Sequence, residues 1–222
     1  MITPLALPLL LLAFLVLVAV LILMVEFRIL AYAYRKIGVH PRYMFAVLVL
    51  SLAGGYVNIP LYSVPVDRFT PPAPVTIFGR TYLVPPAIEP GATVVAINVG
   101  GALLPILLSL YLFVRLKMYG RMLLGIAIVA IIVHSLAAVV PGVGIAVPMF
   151  IPPLAAAGVA LVLAFRRAPP VAYVAGSMGT LIGADVLNLG RIIELGAPMI
   201  SIGGAGTFDG VFLTGIIAGL LA

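Results

Sequence analysis

Long apolar stretches separated by short polar segments dominate the chain. A helix needs about 20 apolar residues to cross the hydrocarbon core of a bilayer. The pattern therefore predicts a bundle of seven membrane-spanning helices. The predicted spans are roughly Pro4–Phe27, Tyr43–Tyr62, Ala92–Phe113, Met122–Val140, Met149–Phe165, Val171–Leu189 and Ala205–Ala222.

Two connections are more polar than the spans. Ser63–Gly91 is long and rich in proline, and Gly190–Gly204 holds too few apolar residues to cross. Within the first connection, VTIFGRTYLV places two short β-prone runs around Gly79-Arg80, a pattern typical of a β-hairpin. The predicted fold class is therefore all-α: one polytopic membrane domain over residues 1–222, with a small external hairpin between spans 2 and 3.

The composition agrees with this class. Of 222 residues, 64% are hydrophobic and 8% are charged, whereas a soluble domain carries about 25% charged residues. We expect a multi-pass protein of the cell membrane, with the lipid bilayer as its main partner. The chain has no cysteine, which excludes disulfides and thiolate chemistry. Membrane topology explains the net charge of +6, so we predict no nucleic-acid partner.

Basic residues predict the orientation, because Lys and Arg concentrate in cytoplasmic loops. The loops after spans 1, 3 and 5 hold nine of the twelve Lys and Arg residues and are predicted to be cytoplasmic. The N-terminus and the Ser63–Gly91 connection are then predicted to lie outside. The nine residues are Arg28, Arg35, Lys36, Arg42, Arg115, Lys117, Arg121, Arg166 and Arg167.

Two aspartates near the C-terminus are the strongest functional signal. Asp185 and Asp209 lie in apolar sequence, where a charged side chain costs a few kcal/mol and usually faces a cavity, a partner or a substrate. Each lies about four residues inside the outer end of its predicted span, so both are about 6 Å below that boundary. Two carboxylates at matched depth can share a proton, as an aspartyl hydrolase requires.

The sequence around the second aspartate resembles a known protease motif. GAGTFDGVFLTGIIAGLL begins with Gly204 and Gly206 in a Gly-x-Gly pattern before Asp209. It resembles the Gly-x-Gly-Asp motif of intramembrane aspartyl proteases of the presenilin and signal peptide peptidase type, with Thr207–Phe208 inserted. The resemblance implies Asp185 and Asp209 as the catalytic pair and a membrane-embedded peptide as the substrate.

The whole chain resembles an uncharacterised prokaryotic family of multi-spanning membrane proteins, a domain of unknown function. The stretches GGYVNIPLY, AINVGGALLPILLSLY, GTLIGADVLNL and SIGGAGTFDGVFLTGI carry this resemblance. It implies a single folding unit and no particular activity.

Other polar residues share the predicted outer depth of the aspartates. Asn58 and Asn98 lie in spans interrupted by glycine and proline, and Asn188 follows Asp185 by three residues. Together with Gly204 and Gly206, these asparagines are the predicted substrate-binding residues. We predict no metal, because His134 has no second ligand at helical spacing. We also predict no cofactor, because the sequence has no Walker A loop and no dinucleotide fingerprint.

Three classes of function remain open at this point. The leading interpretation is a di-aspartate membrane enzyme, a candidate intramembrane aspartyl protease. The second is a cation- or proton-coupled transporter or channel that uses the same carboxylates. The third is a structural membrane protein without an active site. In it, Asp185 bonds to Thr180, Asn188 or Arg191, and Asp209 caps backbone N–H groups at the start of its span.

The orientation can be tested with introduced cysteines, since the chain has none. In intact cells, a membrane-impermeant thiol reagent should label Ser63→Cys and should not label Arg42→Cys or Arg166→Cys. The reason is that basic residues are concentrated in the loops that contain Arg42 and Arg166. The reverse labelling pattern would show that the aspartates face the other side of the membrane.

Overall fold

The computed structural model describes residues 6–70, 73–77, 80–84, 87–140, 144–193, 197–204 and 210–222. Most of these residues are helical. The helices are α1 (Ala6–Ile37), α2 (Pro41–Gly54), α3 (Leu104–Leu116), α4 (Tyr119–Leu136), α5 (Ile151–Ala164), α6 (Ala168–Thr180), α7 (Leu189–Ile193) and α8 (Gly210–Leu221). Two π-helical turns adjoin them: Val99–Leu103 leads into α3, and Leu181–Val186 extends α6.

Four of the described helical segments are long and apolar enough to cross a membrane, which indicates a multi-pass membrane protein. The prediction of seven such spans is therefore confirmed only in part, because α2 and α8 are shorter apolar helices. The four segments are Leu11–Ile37, Val99–Leu116, Tyr119–Leu136 and Ile151–Val186.

The last of these segments is a helical hairpin. A Cβ placed on Gly176 of α6 would lie 3.2 Å from the Cβ of Ala156 in α5. The two helices therefore run side by side, and the chain reverses in the 3₁₀ turn Phe165–Arg167. The two helices correspond to the predicted fifth and sixth spans, Met149–Phe165 and Val171–Leu189.

Helix α1 is longer than predicted. At about 1.5 Å per residue, its 32 residues exceed the roughly 30 Å of a bilayer core. Arg28, Arg35 and Lys36, which we expected in a loop, continue this helix because no glycine or proline occurs between Pro8 and Gly38 (φ +100°). Only its C-terminal part packs into the core, where Tyr34 is buried.

The predicted second span was wrong at its C-terminal end, and the predicted third span was wrong at its N-terminal end. The residues there form strands β1 (Asn58–Thr70) and β4 (Ala87–Asn98), which pair in antiparallel fashion with Asn58 opposite Asn98. Val, Ile and Tyr favour strands, and the prolines of β1 are tolerated because β1 is an edge strand. The strand β7 (Met199–Ile202) adds in parallel to β4 and completes a three-stranded sheet.

Two further pairs of strands lie outside this sheet. The predicted hairpin is confirmed, because β2 (Ala73–Ile77) pairs with β3 (Arg80–Val84) in antiparallel fashion. A second small hairpin, β5 (Ala138–Val140) with β6 (Gly144–Ala146), follows α4. Strand β5 occupies the last residues of the predicted fourth span, Met122–Val140, which was therefore wrong at that end.

The helices have two chemically different ends. Lys36 Nζ donates to the carbonyl of Leu220 at 2.7 Å, and Arg115 Nη1 donates to the carbonyl of Gly38 at 2.7 Å. The C-terminal ends of α1, α3 and α8 therefore lie together, and we call this the basic end. The opposite end carries the β1–β4–β7 sheet, and we call it the sheet end.

A close backbone contact joins α2 to the π turn before α3. A Cβ added to Gly100 would lie 2.1 Å from the carbonyl oxygen of Ser51 and 2.4 Å from the backbone nitrogen of Gly55. The hydroxyl of Ser51 also donates to the carbonyl of Gly100 at 3.1 Å. Only glycine fits this position, because the obstructing atoms belong to the backbone.

Gly100→Ala should lower the free energy of unfolding by about 1–3 kcal/mol or more, since α2 must move away from the π turn. The measurement is thermal unfolding of the purified protein in detergent. Gly158→Ala in α5 is the matched control: nothing lies within 4 Å of the added Cβ, so it should be neutral or stabilise by up to about 1 kcal/mol. Equal losses in the two variants would contradict the close contact.

Candidate functional site

Asp185 lies in the π-helical turn that extends α6 toward the sheet end. Its Oδ2 accepts a hydrogen bond from the backbone N–H of Gly203 at 2.7 Å. The side chain is partly exposed, and Oδ1 has no hydrogen-bond partner among the described residues. One oxygen therefore fixes the orientation of the carboxylate, while the other stays available for a ligand.

Gly203 can donate this bond because of its own conformation. Its φ is +85°, which glycine adopts without strain. A Cβ at this position would lie 2.6 Å from the backbone nitrogen of Ala102, in the π turn before α3. The turn after β7 is therefore held between the two π-helical turns, with Asp185 on one of them.

The same turn is tied to the sheet through Ser201. Its Oγ lies 2.5 Å from Asn58 Oδ1 and 2.5 Å from the carbonyl oxygen of Gly204. A hydroxyl has one proton to donate, so it serves these two acceptors one at a time. Asn58 and Gly204, both predicted site residues, are thus brought together by a residue that was not predicted.

Asn98 is buried and acts as a cap. Its Nδ2 donates to the carbonyl of Gly55 at 2.8 Å and to Asn58 Oδ1 at 3.1 Å, and its Oδ1 accepts from the N–H of Gly101 at 2.7 Å. The structure therefore gives Asn98 a role in joining α2, β1 and the first π turn.

Asn188 holds the second π turn closed. It is fully buried, and its Nδ2 lies 3.0 Å from the carbonyl oxygens of both Gly183 and Ala184. Arg191 Nη1 donates to Asn188 Oδ1 at 3.2 Å, and His134 Nδ1 lies 3.2 Å from Asn188 Nδ2. Asn188 and Arg191 therefore bond to each other and not to Asp185. Among the described residues, the hydrogen-bond partner of Asp185 is Gly203.

Gly206 and Asp209 lie outside the described residues. The first described residue after them, Gly210, begins α8. Val211 belongs to a small buried cluster with Leu181 and Ala102. Because Leu181 is four residues before Asp185, α8 begins at the end of the bundle that carries Asp185.

Sequence reasoning did not identify Ser201 and Gly203 as members of this site. Both occur in SIGG, where an apolar strand-like run meets two glycines. That combination signals a strand followed by a turn with positive φ, and it could have drawn attention to the segment. In the part of the chain that the structure describes, no group of three or more His, Cys, Asp or Glu residues is placed to hold a metal ion.

These features indicate a multi-pass membrane protein with a carboxylate in a candidate membrane-spanning segment, beside a sheet-capped end. The chain belongs to the DUF1614 family, described as a protein of unknown function, whose sequence profile matches residues 52–221. The predicted likeness to a family of unknown function is thereby confirmed. No curated protein and no solved structure matches the chain, and the comparisons give no support to a presenilin-type likeness.

Asn188→Ala should lower the free energy of unfolding by about 1–3 kcal/mol, because it leaves buried polar groups without partners. Denaturant unfolding in detergent measures this change. Ser135→Ala is the control, since Ser135 is exposed and its hydroxyl donates to the carbonyl of Ile132 in its own helix. The control should stay within about 0.5 kcal/mol of the parent. A similar value for Asn188→Ala would contradict its role in closing the turn.

Proposed function

We propose that this protein is an integral membrane aspartyl protease, with Asp185 and Asp209 as its catalytic pair. The observation that carries the proposal is the hydrogen bond from Gly203 to Asp185. Gly203 directly follows strand β7, so a carboxylate inside an apolar helical segment is joined to the end of a β-strand. The substrate would be a membrane-embedded or membrane-proximal peptide.

Strand β7 supports a peptide as the substrate. It lies at the edge of the sheet, and in the described part of the chain β4 is its sole partner strand. An edge strand presents unpaired N–H and C=O groups, to which an extended peptide can add as a further strand. A peptide bound along β7 would be directed toward Asp185 at the end of that strand.

The chemistry uses both carboxylates. The ionised member takes a proton from a water molecule, while the protonated member donates a hydrogen bond to the scissile carbonyl. Water adds to that carbonyl carbon, the C–N bond breaks, and the leaving nitrogen takes a proton from the pair. The bond from Gly203 holds Asp185 by Oδ2 and leaves Oδ1 for the water.

In this proposal the asparagines position the site. Asn58 and Asn98 connect the sheet to the turn that carries Gly203, and Asn188 fixes the π turn that carries Asp185. Gly206 stays a predicted substrate contact beside Asp209. With the predicted orientation, cleavage takes place near the outer face of the cell membrane.

A second candidate function is proton- or cation-coupled transport through the same carboxylates. It is favoured by buried hydroxyl groups without a hydrogen-bond partner in the described part of the chain, among them those of Thr180, Ser109 and Tyr34. Thr180 lies five residues before Asp185 on the same helical segment. Unpaired hydroxyls inside a bundle can hydrate a moving ion, whereas hydrolysis does not require them.

The catalytic pair is tested with the protein in liposomes together with a single-span reporter peptide, whose fragments are measured by mass spectrometry. Asp185→Asn and Asp209→Asn should each reduce cleavage by about 10²- to 10⁴-fold, because neither carboxylate can do both tasks. Glu26→Gln, which neutralises an exposed carboxylate on α1, should cleave at the parent rate.

The parent protein decides between the two candidates. Reporter cleavage that survives both Asp→Asn substitutions, or no cleavage by the parent, would rule out the protease. Uptake of protons into liposomes that depends on Asp185, without any cleavage, would instead establish transport.

A further inference from the structure

A cleft of about 290 Å³ lies at the basic end, between the start of α4 and the turn that joins α5 to α6. Its polar lining consists of Arg121, Arg166 and Arg167, and its apolar lining comes from Leu163–Phe165. The three arginines are exposed, and none has a hydrogen bond or ion pair with another described residue. The cleft therefore combines three free guanidinium groups with an apolar wall.

Two other cations at this end have partners within the protein. Lys36 donates to the carbonyl of Leu220, and Arg115 donates to the carbonyl of Gly38 and lies over the ring of Tyr111. The elements that form the cleft also lack acidic residues, because no Asp or Glu occurs between residues 89 and 185 of the sequence. The positive charge of the cleft is thus uncompensated by the chain segments around it.

The wall beside the arginines is apolar and exposed. Phe165 lines the cleft and is 80% exposed, and Val162, one residue before the lining begins, is 86% exposed. Both lie at the end of a helix in a candidate membrane-spanning segment. A ligand that fits both surfaces needs an anionic group and a hydrocarbon part. Phospholipids with an anionic headgroup have both, and they surround any membrane protein.

We propose that this cleft binds the phosphate group of one anionic phospholipid, whose acyl chains lie along Val162 and Phe165. Arginine pairs bidentately with phosphate oxygens, and basic pockets at the cytoplasmic ends of membrane helices bind such headgroups. The predicted orientation places the basic end in the cytoplasmic leaflet. This proposal does not depend on the proposed protease activity.

The test is native mass spectrometry of the full chain in detergent, titrated with phosphatidylglycerol or phosphatidylcholine. The parent protein should retain one phosphatidylglycerol in preference to phosphatidylcholine. At about 1 kcal/mol per basic residue near a membrane surface, each of Arg121→Gln, Arg166→Gln and Arg167→Gln should weaken retention about fivefold. The triple variant should weaken it about a hundredfold.

Arg42→Gln is the matched control, because Arg42 is an exposed cation in the same predicted cytoplasmic region and does not line the cleft. It should retain the lipid as the parent does. If Arg42→Gln weakens lipid retention as much as the cleft variants do, the lipid is attracted by the overall positive charge of this region, and the proposal fails. Equal retention of phosphatidylcholine, or displacement of the lipid by millimolar inorganic phosphate, would also overturn it, the latter by indicating a site for free phosphate.

Folding is checked independently with Arg166→Lys, which keeps the charge and removes the bidentate geometry. It should melt at the parent temperature in the absence of lipid and retain phosphatidylglycerol less well than the parent. Retention equal to that of the parent would show that no arginine–phosphate pairing occurs at this residue.

Discussion

Close packing of the small residues of α6 is the constraint on which the rest of the bundle depends. A Cβ on Gly179 would lie 2.7 Å from Val129 of α4, and one on Gly176 would lie 3.3 Å from Thr214 of α8. Lipid chains are as apolar as the helix surfaces, so membrane helices are held together by dispersion at close approach and by interhelical hydrogen bonds. Glycines at successive turns of α6 therefore determine where its neighbours lie.

The same packing leads directly to the candidate site. Gly183 faces the backbone of α4, where an added Cβ would lie 2.5 Å from the carbonyl oxygen of Ala130. The carbonyls of Gly183 and Ala184 accept the amide of Asn188, as the helix widens into the π turn that carries Asp185. Asp185 in turn accepts from the residue after β7. A displacement of the sheet would therefore displace the hydrogen-bond donor of the carboxylate.

Much of the helical framework could be predicted from the sequence, because apolar runs such as those of α4, α5 and α6 are long and uniform. The strands β1 and β4 could not be separated from spans, since a short apolar strand and a buried helix share the same hydropathy. The prediction that the basic residues of α1 form a loop was wrong for a different reason. Lys and Arg are good helix formers, and charge alone does not end a helix.

The candidate site was predictable only in part. Asp185 stood out because a charge within an apolar segment is rare. Its partner Gly203 is 18 residues away, and the contact between Ser201 and Asn58 spans 143 residues. Such contacts depend on how helices and sheet meet, and a single sequence contains no local pattern that reports them.

The hydrogen bond to Gly203 does not by itself account for a carboxylate at position 185. A neutral amide oxygen can accept a backbone N–H equally well, as Asn98 does from Gly101 at 2.7 Å in the other π turn. An ionised side chain in a membrane segment costs a few kcal/mol. A purely structural role therefore explains the geometry of the turn, but it does not explain why the side chain at position 185 is ionisable. The proposed proteolytic chemistry requires a titratable oxygen at the sheet end and would give the carboxylate such a role.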